Sequence, residues 1–502
     1  MSRWPSTGPG ASPQDGKALA GDGEVSCREG DVLRAAWRDS FWLLVATLLV
    51  RLVVIVWGAS RFPPAADGQF YQVVASRIGQ GLGYTWLWPD GVVTYAAHYP
   101  VGYPAILGGL YSVFGAKPWL AMVLNGLAGV ITTLCVHRLA IATGSRKSAF
   151  FAGLLAVLHP TLVFYTPAMM TELVSAALLI GAVALSMMKP HRALSLVAIL
   201  LALGLLIGVS TLVRPQQLLW APLLGGLLAF RVYRGRPTKS PKTALIAHMV
   251  VSAGFVSVVA IGCCLPWTVR NCDKMERCVF VSANGGWNLF IGASPLGKGA
   301  WTSIDSIGVP AECRLVFKEA EKDFCFGNVA KRVIAQRPMA WFALIPAKLS
   351  KTFDDVGAPG YYLHSSNGWA FDDKAKWRLG AAEVLVERVL SLLAFGSFAF
   401  ASGPRQRARF AIAGLAALTA FVPYVWIGVL LYGLGALLLG PRLVEEPAIL
   451  LLTLAWVMTA GVHAVFFGGA RYVIVVLPLL MVAAARGVSL LPTPRWITGH
   501  RS

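Results

Sequence analysis

Apolar runs of about 18 to 24 residues recur along this chain, and a run of that length crosses a hydrocarbon core of roughly 30 Å as a helix. Inside lipid the backbone has no water to bond, so every N–H and C=O must be satisfied within the structure. Composition agrees with that constraint. Of 502 residues, 56% are hydrophobic and only 14% charged, with a mean hydropathy of +0.63. That is too little charge to coat a water-soluble protein of this length. The expected spans are 41–60, 118–141, 148–166, 171–188, 193–212, 216–231, 244–265, 383–402, 410–425, 427–440, 447–466 and 471–489. The fold class is therefore an all-α polytopic membrane protein of about 11 to 13 transmembrane helices, with 410–440 readable as one broken helix or two.

The net charge of +20 does not mark a nucleic-acid partner, because of where it sits. Arg146 and Lys147, then Lys189 and Arg192, occupy two short gaps between spans. Arg231, Arg234, Arg236, Lys239 and Lys242 fill a third, and Arg405, Arg407 and Arg409 a fourth. None of these gaps holds an Asp or Glu, which is the pattern of cytoplasmic loops. With the N-terminus inside, the twelve spans put all four gaps in the cytoplasm. The same count places 61–117 and 266–382 outside. The expected organisation is a disordered cytoplasmic tail over 1–40, a transmembrane module over 41–265 containing the outer loop 61–117, and a mixed extracytoplasmic domain over 266–382. Helices over 383–489 and a cytoplasmic tail over 490–502 complete it.

The segment 266–382 carries Cys272, Cys278, Cys313 and Cys325. An even number of cysteines in an oxidising compartment suggests disulfides, with three pairings open. No CxxC or HxxxH spacing indicates zinc. Cys135, Cys263 and Cys264 fall in spans and read as small packing residues.

The first outer loop is the most informative stretch. From Asp67, the spacing of Phe70, Val73, Val74 and Ile78 predicts a short amphipathic helix on the membrane surface. Asp67 and Tyr71 share one face of it, and Gly79, Gly81 and Gly83 end it. The run Tyr99-Pro-Val-Gly-Tyr-Pro104 imposes a rigid turn before a second surface helix over 105–115. Asp67 suits a helix N-cap as well as a chemical role. Other polar residues stand at outer helix ends: Glu172 after Thr171, where it complements a helix dipole; Arg214 before Pro215; Arg270 and Asn271 after Pro266-Trp267; and Arg471 before Tyr472. Three arginines at one depth can neutralise a phosphate, although each alone can simply snorkel to lipid. Arg51 lies mid-span and needs a buried partner.

Taken in order, these motifs resemble the polytopic glycosyltransferases of GT-C fold, in the dolichyl-phosphate-mannose protein mannosyltransferase superfamily. The bacterial branch, which includes lipid A aminoarabinose transferases, is the nearest in pattern. The resemblance rests on Asp67 with Tyr71, the YPVGYP run, Thr171-Glu172 and Leu212-Val-Arg-Pro215. It continues through Pro266-Trp-Thr-Val-Arg-Asn271, SANGGWNLFIGASP (282–295) and Ala470-Arg-Tyr472. It spans most of residues 41–489. It implies transfer of a sugar from a polyprenyl-phosphate donor to a lipid, glycan or protein acceptor. The enzyme would lie in a bacterial inner membrane, with its site facing the periplasm.

By that resemblance Asp67 is the general base, and Arg214, Arg270, Arg471 and His98 hold the donor phosphate. Tyr71, Tyr99, Tyr103, Glu172, Asn271 and Tyr472 line the substrate. A hydroxyl nucleophile gains from a carboxylate within reach, and fixed cations stabilise a leaving phosphate. No cofactor is required; a divalent cation is compatible with the chemistry but not indicated. Many relatives carry two adjacent acids, whereas Ala66 precedes Asp67 here. The rival readings are a flippase for a lipid-linked sugar, a polymerase or ligase using a pyrophosphate-linked donor, and an assembly protein that has lost catalysis. A flippase would carry ionisable groups near mid-bilayer in related halves.

Overall fold

The structure is a computed structural model that describes residues 19–190, 192–234, 241–440, 443 and 445–491. Its first half comprises α1 (Leu19–Gly58), α2 (Asp67–Gly79), the hairpin strands β1 (Thr85–Leu87) and β2 (Val93–Tyr95), α3 (Gly102–Phe114), α4 (Trp119–Thr143), α5 (Arg146–Leu158), α6 (Pro160–Phe164), α7 (Glu172–Ser186), α8 (Ala193–Val213), α9 (Trp220–Arg234) and α10 (Lys242–Lys274). Short helices follow: α11 (Gly285–Ala293), α12 (Ile304–Ile307), α13 (Glu319–Gln336), α14 (Pro338–Phe342), α15 (Ile345–Phe353) and α16 (Ala358–Ser366). The chain closes with α17 (Asp373–Phe400), α18 (Gln406–Thr419), α19 (Val425–Leu439), α20 (Pro447–Val465) and α21 (Leu477–Leu490).

Each expected span has a helical counterpart, and 410–440 forms two helices. Among the described residues, six helical stretches are long and apolar enough to cross a membrane: Arg34–Gly58, Trp119–Thr143, Arg146–Phe164, Ala193–Val213, Lys242–Lys274 and Pro447–Val465. Glu172–Ser186, Val425–Leu439 and Leu477–Leu490 are shorter apolar helices.

Three boundaries differ most from expectation. Helix α1 begins at Leu19, so 19–40 is helix rather than disordered tail; residues 1–18 and 492–502 of the two tails, with Arg236 and Lys239, lie outside the described residues. Helix α10 continues through Pro266 to Lys274, and α17 begins at Asp373 instead of 383. Extending a formed helix adds a bond for each residue fixed. An internal proline forfeits one of those bonds. Asp372 caps α17 by accepting the Ala375 N–H.

The chain between α6 and α7 is not helical, and its carbonyls need donors inside the bundle. Asn125 supplies them, while Arg51 holds the end of α6 and the Thr166 hydroxyl. Fully buried, Arg51 donates from Nη1 to the Leu162 carbonyl and, at 2.7 Å, to Thr166 Oγ1. Asn125 donates to the carbonyls of Thr166 and Ala168 at 3.1 and 2.7 Å. Gly129 leaves room for the guanidinium, since a Cβ there would stand 2.6 Å from Arg51 Nε. Asn125 and the mid-span arginine thus permit the break, and the break fixes where α7 starts. Gly102 does similar work in the YPVGYP turn: a Cβ would meet the Leu212 carbonyl carbon at 2.6 Å, so the turn seats directly on the end of α8.

Helix α17 packs along α21, α10 along α8 and α9, and α4 against α1, α5 and α7. The four cysteines of residues 266–382 form Cys272–Cys278 and Cys313–Cys325, one of the three open pairings. The hairpin pairs Thr85 with Tyr95 and Leu87 with Val93; the glycine pattern alone did not anticipate it.

Candidate active site

Asp67 is the first residue of α2, and its side chain caps nothing. The N-cap is Ala66, held at φ 51°, with no side-chain cap hydrogen bond. The carboxylate is therefore free for tertiary contacts. Its Oδ1 accepts the Tyr99 hydroxyl at 2.9 Å and its Oδ2 accepts Arg471 Nη1 at 2.7 Å. Burial pushes the carboxyl up, but the Arg471 charge and the hydrogen bonds from Arg471 and Tyr99 outweigh it and leave Asp67 below its ordinary value. Burial raises the Tyr99 hydroxyl well above its usual range, so it stays a proton donor to that carboxylate.

Arg471 is the hub. Its Nη1 also donates to the Tyr362 hydroxyl at 2.7 Å, and its Nε lies 3.8 Å from Glu172 Oε1. The same Glu172 oxygen accepts Arg214 Nη1 at 2.8 Å, and that nitrogen reaches Thr171 Oγ1 at 3.2 Å. Glu172 is 1% exposed, yet its Oε2 and Arg214 Nε have no hydrogen-bond partner among the described residues. The Tyr472 ring stands beside both guanidinium groups, 5.4 Å from Arg214 and 5.2 Å from Arg471. His463 stacks on its ring at 4.1 Å.

The backbone that presents Arg471 is a 3-10 turn, Ala470–Val475, entered through Gly468 and Gly469. Just before it, buried Lys348 donates to the Ala464 and Val465 carbonyls at 3.1 Å each and so satisfies the end of α20. Behind Asp67, Tyr71 packs edge-on between Tyr99 and Tyr103 at 5.3 and 5.4 Å. Tyr165 meets Tyr362 at 5.7 Å. The result is two carboxylates and two guanidinium groups set among tyrosine rings.

Of the residues singled out in the sequence, Asp67, Tyr71, Tyr99, Tyr103, Glu172, Arg214, Arg471 and Tyr472 come together. The second acid does not precede Asp67 in sequence. It arrives from α7 as Glu172. His98 lies one shell away, its ring edge-on to Tyr99 at 4.8 Å and to Trp287 at 5.4 Å. Burial lowers it to about 4, so it is neutral at physiological pH, although Asp67 and the Ala283 backbone oppose that shift.

Arg270 and Asn271 are not brought to this cluster. Arg270 donates to the carbonyls of Ala96 and Tyr84 at 2.8 and 2.7 Å, and Asn271 to those of Val279 and Val281. Tyr362, Tyr165 and His463 join the site without any sequence signal; Tyr362 reaches it from α16, while Tyr165 and His463 precede Glu172 and Arg471 by less than ten residues. Among the described residues, no group of three or more His, Cys, Asp and Glu side chains could hold a metal ion.

Two clefts flank the cluster. One is lined by Gln217, Trp220, Met458, Val462, His463 and Tyr472. The other, narrower, is lined by Phe62, Ala65, Met169, Tyr362 and Ser366 and adjoins the start of α2.

No family model matches the sequence, and a search of curated proteins finds no match. Among solved structures, the chain is similar to ArnT from Cupriavidus metallidurans bound to undecaprenyl phosphate. Identity is 15%, with 90% of this chain and 78% of that one covered, at a TM-score of 0.38. The apo state of that protein gives 14%, with 89% and 77% covered, at a TM-score of 0.36. The Archaeoglobus fulgidus oligosaccharyltransferase, tethered to an acceptor peptide, gives 13% at a TM-score of 0.36. There 91% of this chain is covered, but only 56% of the archaeal one.

Proposed function

We propose that this chain is a membrane glycosyltransferase that moves a sugar from a polyprenyl-phosphate donor to an acceptor hydroxyl or amine at the outer face. The observation that carries this reading is the shared arginine: Arg471 bridges Asp67 and Glu172, with Arg214 on the far side of Glu172. A negative base and a paired positive centre stand side by side, as a displacement at an anomeric carbon requires. The acceptor O–H or N–H gives its proton to Asp67 as its heteroatom bonds to C1. The C1–O bond to phosphate breaks, and the departing oxygen keeps the electron pair. Arg471 and Arg214 stabilise that charge in a water-poor pocket. Attack opposite the leaving group inverts C1.

Phosphate and Asp67 compete for Arg471. A donor phosphate that takes up Arg471 Nη1 frees Asp67 Oδ2 at the moment a base is needed. The apolar lining around Trp220, Met458 and Val462 suits the polyprenyl tail, beside Tyr472 and the arginines. The cleft at Ala65 and Tyr362 adjoins the start of α2 and suits the approach of the acceptor. The acidic and basic groups of the candidate site sit together at one end of the bundle rather than mid-span, which favours transfer over transport across it. Purified protein incubated with polyprenyl-phosphate sugars in detergent tests the reading. A transferase consumes the donor and releases polyprenyl phosphate; intact donor under every acceptor would overturn it.

A further inference from the structure

The guanidinium of Arg270 is spent on backbone, and the segment it holds has a second grip on it from a carboxyl group. Arg270 donates to the carbonyls of Tyr84 and Ala96. The Glu319 carboxyl, on the first turn of α13, accepts the Ala97 N–H at 2.5 Å and the His98 N–H. One short stretch of chain, 96–98, is thus fixed through its carbonyl by a guanidinium and through its N–H groups by a carboxyl. The next residue is Tyr99, whose hydroxyl meets Asp67 and whose carbonyl accepts the Tyr84 hydroxyl at 2.7 Å.

Helix α13 grips a second segment one turn later. Asp323 accepts the Trp287 N–H at 2.9 Å, at the start of α11. Gly286 lies so close to the Asp323 and Gly327 backbone that no Cβ fits there. The two gripped segments also join each other, through Ala283 N–H to the Ala97 carbonyl at 2.7 Å and through the edge-on rings of His98 and Trp287. The Cys313–Cys325 disulfide ties α13 itself, since Cys325 lies within that helix.

We infer that Glu319 and Arg270 are positioning residues, which clamp the 96–98 backbone so that Tyr99 holds Asp67 in register for proton transfer. Carboxyl and guanidinium here do not touch substrate; they act through the peptide groups between them. Buried peptide groups need such partners, and a misplacement of about 1 Å costs on the order of 100-fold in rate. The kinetic half of this inference rests on the transferase reading above; the conformational half does not.

The test uses the full chain in detergent with Glu319→Ala, Glu319→Gln and Arg270→Ala, followed by amide hydrogen exchange and by donor turnover. Glu319→Ala is expected to speed exchange over 84–103 while leaving 373–490 unchanged, which also shows that the bundle is folded. Its kcat falls about 10- to 100-fold with the donor KM little changed. Glu319→Gln keeps an acceptor oxygen and restores both readouts. Two results overturn the inference. In one, Glu319→Ala leaves exchange over 84–103 as in the wild type. In the other, Arg270→Ala raises the donor KM without altering that exchange, which would make Arg270 a phosphate ligand. Should the wild type turn over no polyprenyl-phosphate sugar, the transferase reading fails and the exchange comparison still decides the clamp.

Discussion

Arginine–carboxylate pairs occur at both ends of the bundle and are built differently. At the end where the basic gaps lie, Arg146 closes both prongs on Asp39 at 2.6 and 2.7 Å, and Arg486 does the same with Glu446 at 2.8 and 2.7 Å. These forks are saturated by one carboxylate each. At the other end no fork is closed. Arg471 divides one nitrogen between Asp67 and Tyr362, Arg214 divides one between Glu172 and Thr171, and Glu172 keeps an oxygen unpartnered among the described residues. A closed fork fastens two helices. A shared arginine keeps capacity for an anionic ligand, which is why the same residue types read as scaffold at one end and as a site at the other.

The sharpest way to break this comparison is at Asp67 and Arg471. Asp67→Asn or Arg471→Ala is expected to lower donor turnover by about 100- to 1,000-fold. Wild-type turnover by either variant would remove the site assignment. Glu172→Ala comes next. It leaves the Arg214 charge buried and uncompensated, and breaking a buried pair in this way costs about 3 to 5 kcal/mol, seen as a lower melting temperature in detergent.

The pH response should be smaller, and it has opposite signs at two carboxyls. Asp67 is held below 3.8, so its pairing is present above that value and is lost only as pH falls through a still lower one. Turnover should therefore show no acid limb from Asp67 above about pH 5. Glu319 is pushed up to about 7 by burial, against the N–H groups of Ala97 and His98 and the Arg270 charge, with Asp323 adding to the rise. Neutral His98 and the Tyr84 hydroxyl complete its surroundings. A group raised in the closed arrangement favours that arrangement below its ordinary value and loosens it as pH rises through about 7. Exchange over 84–103, corrected for its intrinsic pH dependence, should speed up across that interval in the wild type and stay flat in Glu319→Gln. The smallest effect belongs to the other end. Arg146→Ala removes a half-exposed fork and should leave turnover unchanged, with a melting shift well below that of Glu172→Ala.

Much of the fold is legible in residue order. Asp67, Phe70, Val74 and Ile78 give α2, Gly115 ends α3 at φ 80°, and the apolar runs give the spans. Helix ends are less legible: α10 passes through Pro266 because continuing a helix costs little once formed. The candidate site divides along the same line. Asp67, Glu172, Arg214 and Arg471 stand out as charged residues at outer helix ends. Tyr362 and Glu319 do not, because their partners lie in elements far away along the chain.

The sequence by itself determined the bundle, because lipid allows a long apolar run only one hydrogen-bonded form. It determined which charged residues share a side, because alternation of spans fixes that by counting. Only the tertiary structure decided how those charges divide. Arg471 and Arg270 occupy comparable places in the sequence, each near a span boundary expected to face outside. One meets two carboxylates and the other two carbonyls, and a pairing between distant segments follows from packing, which no local pattern records.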